Sequence, residues 1–288
     1  MSELPFPIGV SEFTTQPWTF EEDVERYARL GIDTIEVVEA KLDGRRFVEQ
    51  MQSIAAAGLE ISGVQPLVRT FFGSRMVPEP ADLSARVASL RGSIERLARF
   101  APGVPFITNT GAHPKGDTAE AMRVVGDALG ELARVAADNG VTLALEPLNP
   151  TSLNVESAIW TIDQALEVID RADSVHVGLC LDYWNIWQNP DVEAQIARAA
   201  GRIFTVQVSD WRTPRSFADR IVPGDGAIPL ARLISATRAA GFGGSYVVEI
   251  FSLDVADTLY DQDLEVVIRR CRDSMAAAWK ASGPLPRR

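Results

Sequence analysis

Short runs rich in β-branched and apolar residues alternate with longer helical patterns eight times along the 288 residues. That rhythm is the signature of a parallel sheet assembled from βαβ units, because parallel strands need a crossover helix between them. The expected strands are PIGVSEF (7–13), IDTIEVVEA (32–40), LEISGVQPL (59–67), VPFITNTG (104–111), VTLALEPLN (141–149), VHVGLCLDYWN (175–185), IFTVQVSD (203–210) and SYVVEIF (245–251). Helices are expected between them at about 19–30, 44–57, 82–100, 117–139, 154–171, 190–200 and 227–240, with a last one at about 259–281. Thr19 with Glu22 reads as a capping box, and Gly31 as the stop of that helix. Eight units without a linker or composition break point to one closed (β/α)8 barrel over residues 1–288, an α/β fold. An open doubly wound sheet that binds nucleotides would carry a glycine-rich turn after its first strand. Here that turn reads SEFTTQPW.

Composition narrows the function classes. Hydrophobic residues make up 46% of the chain, enough for a substantial core. The net charge of -11 opposes a phosphate backbone, so no nucleic-acid partner is expected. The basic cluster Pro-Leu-Pro-Arg-Arg at the C-terminus reads as a frayed tail. Cys180 and Cys271 are too few and too far apart in sequence for a disulfide framework. No signal peptide is visible in MSELPFPIGV, and no apolar run approaches the ~20 residues of a membrane span. A cytoplasmic protein without a membrane partner is expected.

Active sites of such barrels lie where the strands end at their C-terminal face. Polar residues there are therefore the informative ones. The fifth to eighth strands supply Glu146, Asp182, Gln207 and Glu249, each inside or at the end of an apolar run. Buried carboxylates that converge need a shared cation. An all-oxygen ligand set favours Mn²⁺ or Mg²⁺ over zinc. Taken singly, each carboxylate could equally be one half of a buried ion pair with Lys or Arg.

The motifs ALEPLN (144–149), LDYWN (181–185), VQVSD (206–210), DRIVPGDGAIPL (219–230) and VVEIF (247–251) resemble those of the xylose isomerase-like TIM barrel superfamily, and within it the sugar isomerase and epimerase group. The likeness is strongest over residues 141–255. It implies Glu146, Asp182 and Glu249 as metal ligands, with the two glutamates moving protons on opposite faces of the substrate. It implies Arg220 as a contact to substrate oxygens. Two positions depart from the pattern: Gln207 stands where a metal-binding histidine is usual, and Asn185 where a second histidine is usual. Gln207 keeps a neutral oxygen ligand, whereas Asn185 removes a substrate-orienting or proton-bearing group.

The expected chemistry is divalent-metal-assisted abstraction of a proton next to a carbonyl on a keto sugar or a derivative, giving isomerisation or epimerisation. If a leaving group stands beta to the carbonyl, the same step becomes a lyase reaction. Some superfamily members are catalytic subunits of C-glycoside deglycosidases, which cleave 3-keto sugars from aromatic aglycones together with a small β-sandwich partner. A non-catalytic scaffold barrel is a third reading. His113, in the loop TGAHPKGD after the fourth strand, is a candidate catalytic or substrate-binding group, while His176 falls on the opposite face and reads as structural. Asn185, Trp184, Trp211 and Lys41 are further substrate-binding candidates, with Trp187 beside them as a stacking, loop-core or subunit-contact residue. Glu12, Glu36, Glu39 and Lys41 cluster after the first two strands, where Glu39 and Lys41 are more readily an ion pair. An oligomer is expected, with room for a small second subunit.

Overall fold

The computed structural model describes residues 4–284. Eight parallel strands, Ile8–Ser11, Thr34–Val38, Glu60–Gln65, Pro105–Thr108, Thr142–Leu145, Val177–Asp182, Ile203–Val208 and Tyr246–Val248, close into a barrel. They are called the first to eighth strands below. Each pairs with its sequence neighbours, and the first closes on the eighth through Ile8–Tyr246, Gly9–Val247 and Val10–Val248. The (β/α)8 reading is thereby confirmed. Among the described residues no helix is long and apolar enough to cross a membrane. Most of the basic C-terminal cluster lies outside the described residues.

The helices sit where the periodicity places them, with sharper ends. The Phe20–Leu30 helix is opened by the Thr19–Glu22 capping box and closed by Gly31 at φ 67°. Two expected helices start late: the last runs Leu264–Ala281 after a 3-10 turn at Leu259–Asp261, and the other follows the fifth strand. Residues 154–161 are irregular, and the helix runs Ile162–Ala172 from a second capping box, Thr161 with Gln164. The chain upstream is diverted by Asn149, whose Oδ1 accepts the N–H of Thr151, and by Asn154, which adopts φ 60°. The segment after the fifth strand is thus a loop over the mouth of the barrel.

The main core fills the layer between barrel and helices, with Phe106, Leu143, Leu145, Leu179 and Leu181 among the strand residues buried there. Alternate residues of the same strands point inward, since side chains change face at every step. Ile107, Ala144 and Cys180 form a small apolar cluster of their own. Two residues further along the same three strands lie Asn109, Glu146 and Asp182. Period-two alternation therefore lifts these polar groups onto the next inward layer, at the C-terminal mouth.

Candidate functional site

The strand ends bring three carboxylates together. Glu146, Asp182 and Glu249 are buried and each offers an oxygen within 4.8 Å of the others. Asp182, the last residue of its strand, caps the short helix Tyr183–Ile186 by accepting the Trp184 N–H at 2.9 Å. Its other oxygen accepts Asn185 Nδ2 at 2.8 Å. The same Asn185 amide nitrogen reaches Glu146 at 2.7 Å, while its oxygen accepts the Asn149 N–H. Asn185 is thus a clamp that ties two carboxylates to the loop behind them.

Arg220 completes the cluster. It is carried on a two-stranded ribbon, Asp210–Trp211 with Arg220–Ile221. Its guanidinium lies between the rings of Trp184 and Phe251, 4.9 and 5.0 Å from the centroids. One nitrogen is 2.8 Å from both Asp182 and Glu249. The ribbon is held by Asp210, whose carboxylate accepts the N–H groups of Trp211, Gly224 and Ile228. A Cβ at Gly226 would come 2.5 Å from both Asp210 Oδ1 and the Trp211 carbonyl oxygen. Gly226→Ala is accordingly expected to cost about 1–3 kcal/mol of stability and to lower turnover through Arg220. Gly243→Ala, with nothing within 4 Å of the new methyl, should leave both unchanged. Thermal melts and steady-state kinetics of the two variants check this, and equal behaviour would refute the role given to the turn.

Gln207 also reaches the cluster, but with its nitrogen. Nε2 donates to Glu249 at 2.9 Å and to both Glu36 oxygens at 3.0 Å, while Oε1 accepts the Cys180 thiol. The opposite amide orientation would set its oxygen against two carboxylates. A ligand role would therefore require that amide to turn. Gln65 donates to the same pair, at 3.1 Å to Glu36 and 3.2 Å to Glu249. Glu146 also accepts Asn109 Nδ2 at 2.8 Å. Gln65 and Asn109 are not among the sequence candidates, although they carry the same signal as those that are: a polar residue closing an apolar strand.

Burial dominates the electrostatics. It pushes Glu146 up to about 8, helped by the Asp182 charge and opposed by Arg220. Burial also raises Asp182 and Glu36, and raises Glu249 further, with Arg220 pulling Glu249 and Asp182 back. Four carboxylates share this interior with two guanidiniums, Arg220 and Arg69. Fully ionised, the cluster would keep surplus negative charge, and the oxygen donors of Glu146, Asp182 and Glu249 suit a divalent ion. The residues fit such a group.

A pocket opens onto these carboxylates, and Trp184, Asn185 and Arg220 line it. Other candidates lie elsewhere. Trp211 packs against Trp187, ring centroids 5.2 Å apart, away from the pocket lining. The His113 ring meets Phe72 edge-on and its Nδ1 accepts the Asp117 N–H, which fixes it in its own loop. Lys41 is bound to Asp23 at 2.5 Å and to the Thr15 carbonyl, outside the pocket lining. Glu39 is paired instead with Arg96, so the expected Glu39–Lys41 pair is absent. The two residues sit on a 3-10 turn that points them at different helices. Glu12 is buried with the Val38 N–H and shares the Asp23–Lys41 network. Glu36 alone of that group belongs to the site.

A (β/α)8 barrel with carboxylates converging at the C-terminal ends of its strands is the architecture of a large class of enzymes. The chain belongs to the xylose isomerase-like TIM barrel family, matching it over residues 24–271. It is 27% identical to inosose isomerase of Halalkalibacterium halodurans over 71% of this chain and 70% of that one. It is 28% identical to 3-dehydroshikimate dehydratase of Pseudomonas aeruginosa over 81% of this chain, a match that spans 36% of that longer protein. Both relatives are enzymes, one an isomerase and one a dehydratase. The solved structure of IOLI protein with a bound zinc atom has the same fold, with a TM-score of 0.79 at 22% identity, covering 97% of this chain and 100% of that one.

Proposed function

We propose that this protein is a divalent-cation-dependent enzyme that removes a proton from the carbon next to a carbonyl in a keto sugar or a related polyhydroxylated ketone. The observation that carries the reading is the buried triad Glu146, Asp182 and Glu249, with surplus negative charge and a pocket above it. These three would hold the ion, with Mn²⁺ or Mg²⁺ suited to oxygen donors; the zinc in the IOLI structure makes zinc a third candidate. When bound, such an ion would polarise the substrate carbonyl as a Lewis acid.

The two glutamates differ in their surroundings. Glu146 is held by neutral amides alone, Asn109 and Asn185. Glu249 is tied by three donors, Gln65, Gln207 and the Arg220 guanidinium. Glu146, with fewer donors to displace, is assigned as the general base, and Glu249 as the group that returns a proton or fixes the substrate. Trp184 offers an aromatic wall, and Arg220 a cation beside the reacting oxygens. Return of the proton to the opposite face gives epimerisation, and to the neighbouring carbon isomerisation.

The unequal pair favours a second reading, in which one base acts and a beta leaving group departs. Substrates would then include 3-keto C-glycosides, with a small β-sandwich subunit as partner, or a cyclic hydroxyketone that loses water. The test is hydrogen exchange: protein loaded with Mn²⁺ is incubated in deuterium oxide with inosose, free ketoses, 3-dehydroshikimate and 3-keto glycosides, and followed by NMR. Deuterium entering the carbon next to the carbonyl is expected with at least one of them, and elimination products would select the lyase branch. A metal-loaded protein that exchanges and eliminates with none of them would refute the proposal.

A further inference from the structure

We propose that Arg69 recognises an anionic group, a carboxylate or a phosphate, on the substrate, so that the pocket selects charged ketones over neutral ones. This rests on the proton-abstraction reading above and names the substrate class for it. Arg69 follows the third strand and lines the pocket together with Gln65, Glu146 and Glu249. Among the described residues, no acceptor takes a hydrogen bond or ion pair from its guanidinium, whose contact is the face of Phe13, 5.3 Å from the ring centroid. The site's own carboxylates are engaged elsewhere. Glu146 is taken by Asn109 and Asn185, and Glu249 by Gln65, Gln207 and Arg220. Arg220, the other guanidinium lining the pocket, already gives one nitrogen to Asp182 and Glu249.

The backbone that carries Arg69 is fixed from both sides. The Arg69 carbonyl accepts the Asn109 N–H at 2.8 Å, and the Phe72 N–H reaches the Thr110 carbonyl at 2.9 Å. Behind the loop, fully buried Arg86 binds the Thr70 hydroxyl at 2.6 Å and the carbonyls of Val77 and Pro78. A guanidinium so positioned is a planar fork of five N–H donors, whose natural complement is a carboxylate or phosphate bound through two oxygens. At the pocket wall, without an ion-pair partner of its own, such a fork is complemented by an anionic ligand. Nearby in the same lining, Glu156 keeps one buried oxygen without a partner, an acceptor for a ring hydroxyl. Together they describe a polyhydroxylated ketone with an anionic substituent held away from the reacting carbon.

The test is binding calorimetry on Mn²⁺-loaded wild type, Arg69→Gln and Arg69→Lys with three ketones: neutral inosose, 3-dehydroshikimate with its carboxylate, and a ketopentose 5-phosphate. Wild type is expected to prefer one of the two anions over inosose, and Arg69→Gln to lose about 10–100-fold in affinity for that anion, as expected for a charge-assisted bidentate bond. Arg69→Lys should recover part of the loss. Which anion is preferred separates a carboxylate from a phosphate. Equal loss for all three ketones in Arg69→Gln, a wild type that prefers inosose, or a wild type that binds none would each overturn the proposal. Calorimetry does not require turnover, so an anion preference without deuterium exchange would sink the proton-abstraction reading and leave this one standing.

Discussion

Glu249→Gln and Asp182→Asn are each expected to abolish stoichiometric divalent-ion binding and to lower turnover by about 10³-fold or more. Both substitutions keep the size of the side chain and remove one negative charge from a triad whose oxygens lie within 4.8 Å of one another. Two carboxylates would remain beside Arg220, whose guanidinium already touches both altered positions. With one negative charge gone, Arg220 balances more of what is left, and the attraction for a second cation falls. The Lewis-acid contribution of a bound ion amounts to several kcal/mol, and about 1.4 kcal/mol corresponds to tenfold in rate. Elemental analysis, Mn²⁺ calorimetry and steady-state kinetics on whichever ketone exchanges deuterium are the measurements. Variants that keep one ion per chain would show that the triad does not hold the ion, whereas a wild type that binds none would leave the triad an arginine-bridged ion-pair cluster and move the scaffold reading forward.

How legible this site is in the sequence depends on which physical rule places each residue. Glu146, Asp182 and Glu249 are legible because a carboxylate that closes an apolar strand must arrive at the barrel mouth, and period-two alternation decides that it points inward. Gln65 and Asn109 obey the same rule at the third and fourth strands, but as neutral amides they raise no question of charge balance and draw no attention. Arg69 lies four residues beyond the end of its strand, Gln65. Its aim is set by Asn109, Thr110 and Arg86, contacts made across the sequence that no local pattern announces. Lys41 shows the converse. Its place after the second strand points to the mouth, yet Asp23 on the first helix captures it. The segment after the fifth strand reads as helix because its composition permits one. The Thr161–Gln164 capping box is the true start signal, several residues downstream of the expected start at about 154.

The same charge surplus makes a second large effect observable without any substrate. Metal-free protein is expected to lose more stability than metal-loaded protein as the pH rises from about 5 to about 9. Glu146 titrates at about 8 in the folded chain against an ordinary value of 4.5, and burial raises Asp182, Glu36 and Glu249 as well. A carboxyl group with a raised folded pKa holds a proton that the unfolded chain has already released. Its contribution is therefore fully present below the unfolded value and disappears as the pH rises through the folded one. A tenfold change in proton affinity between the folded and unfolded chains corresponds to about 1.4 kcal/mol. The groups titrate as a coupled set, so the whole loss is expected to be about a few kcal/mol rather than a sum over four residues. Asp219, held low by Arg215 and Arg212, works in the opposite direction and titrates below this window. A divalent ion binds the ionised carboxylates, so its stabilisation grows with pH, reaching about 2.7 kcal/mol at a hundredfold excess over Kd. Thermal melts from pH 5 to 9 with chelator and with Mn²⁺ would separate the two slopes. Glu249→Gln should flatten both, because it removes part of the surplus charge and the ion together. A chelated wild type whose melting temperature stays level or climbs across this range would mean that Arg220 and Arg69 already neutralise the cluster, and the case for a resident cation would lose its electrostatic basis.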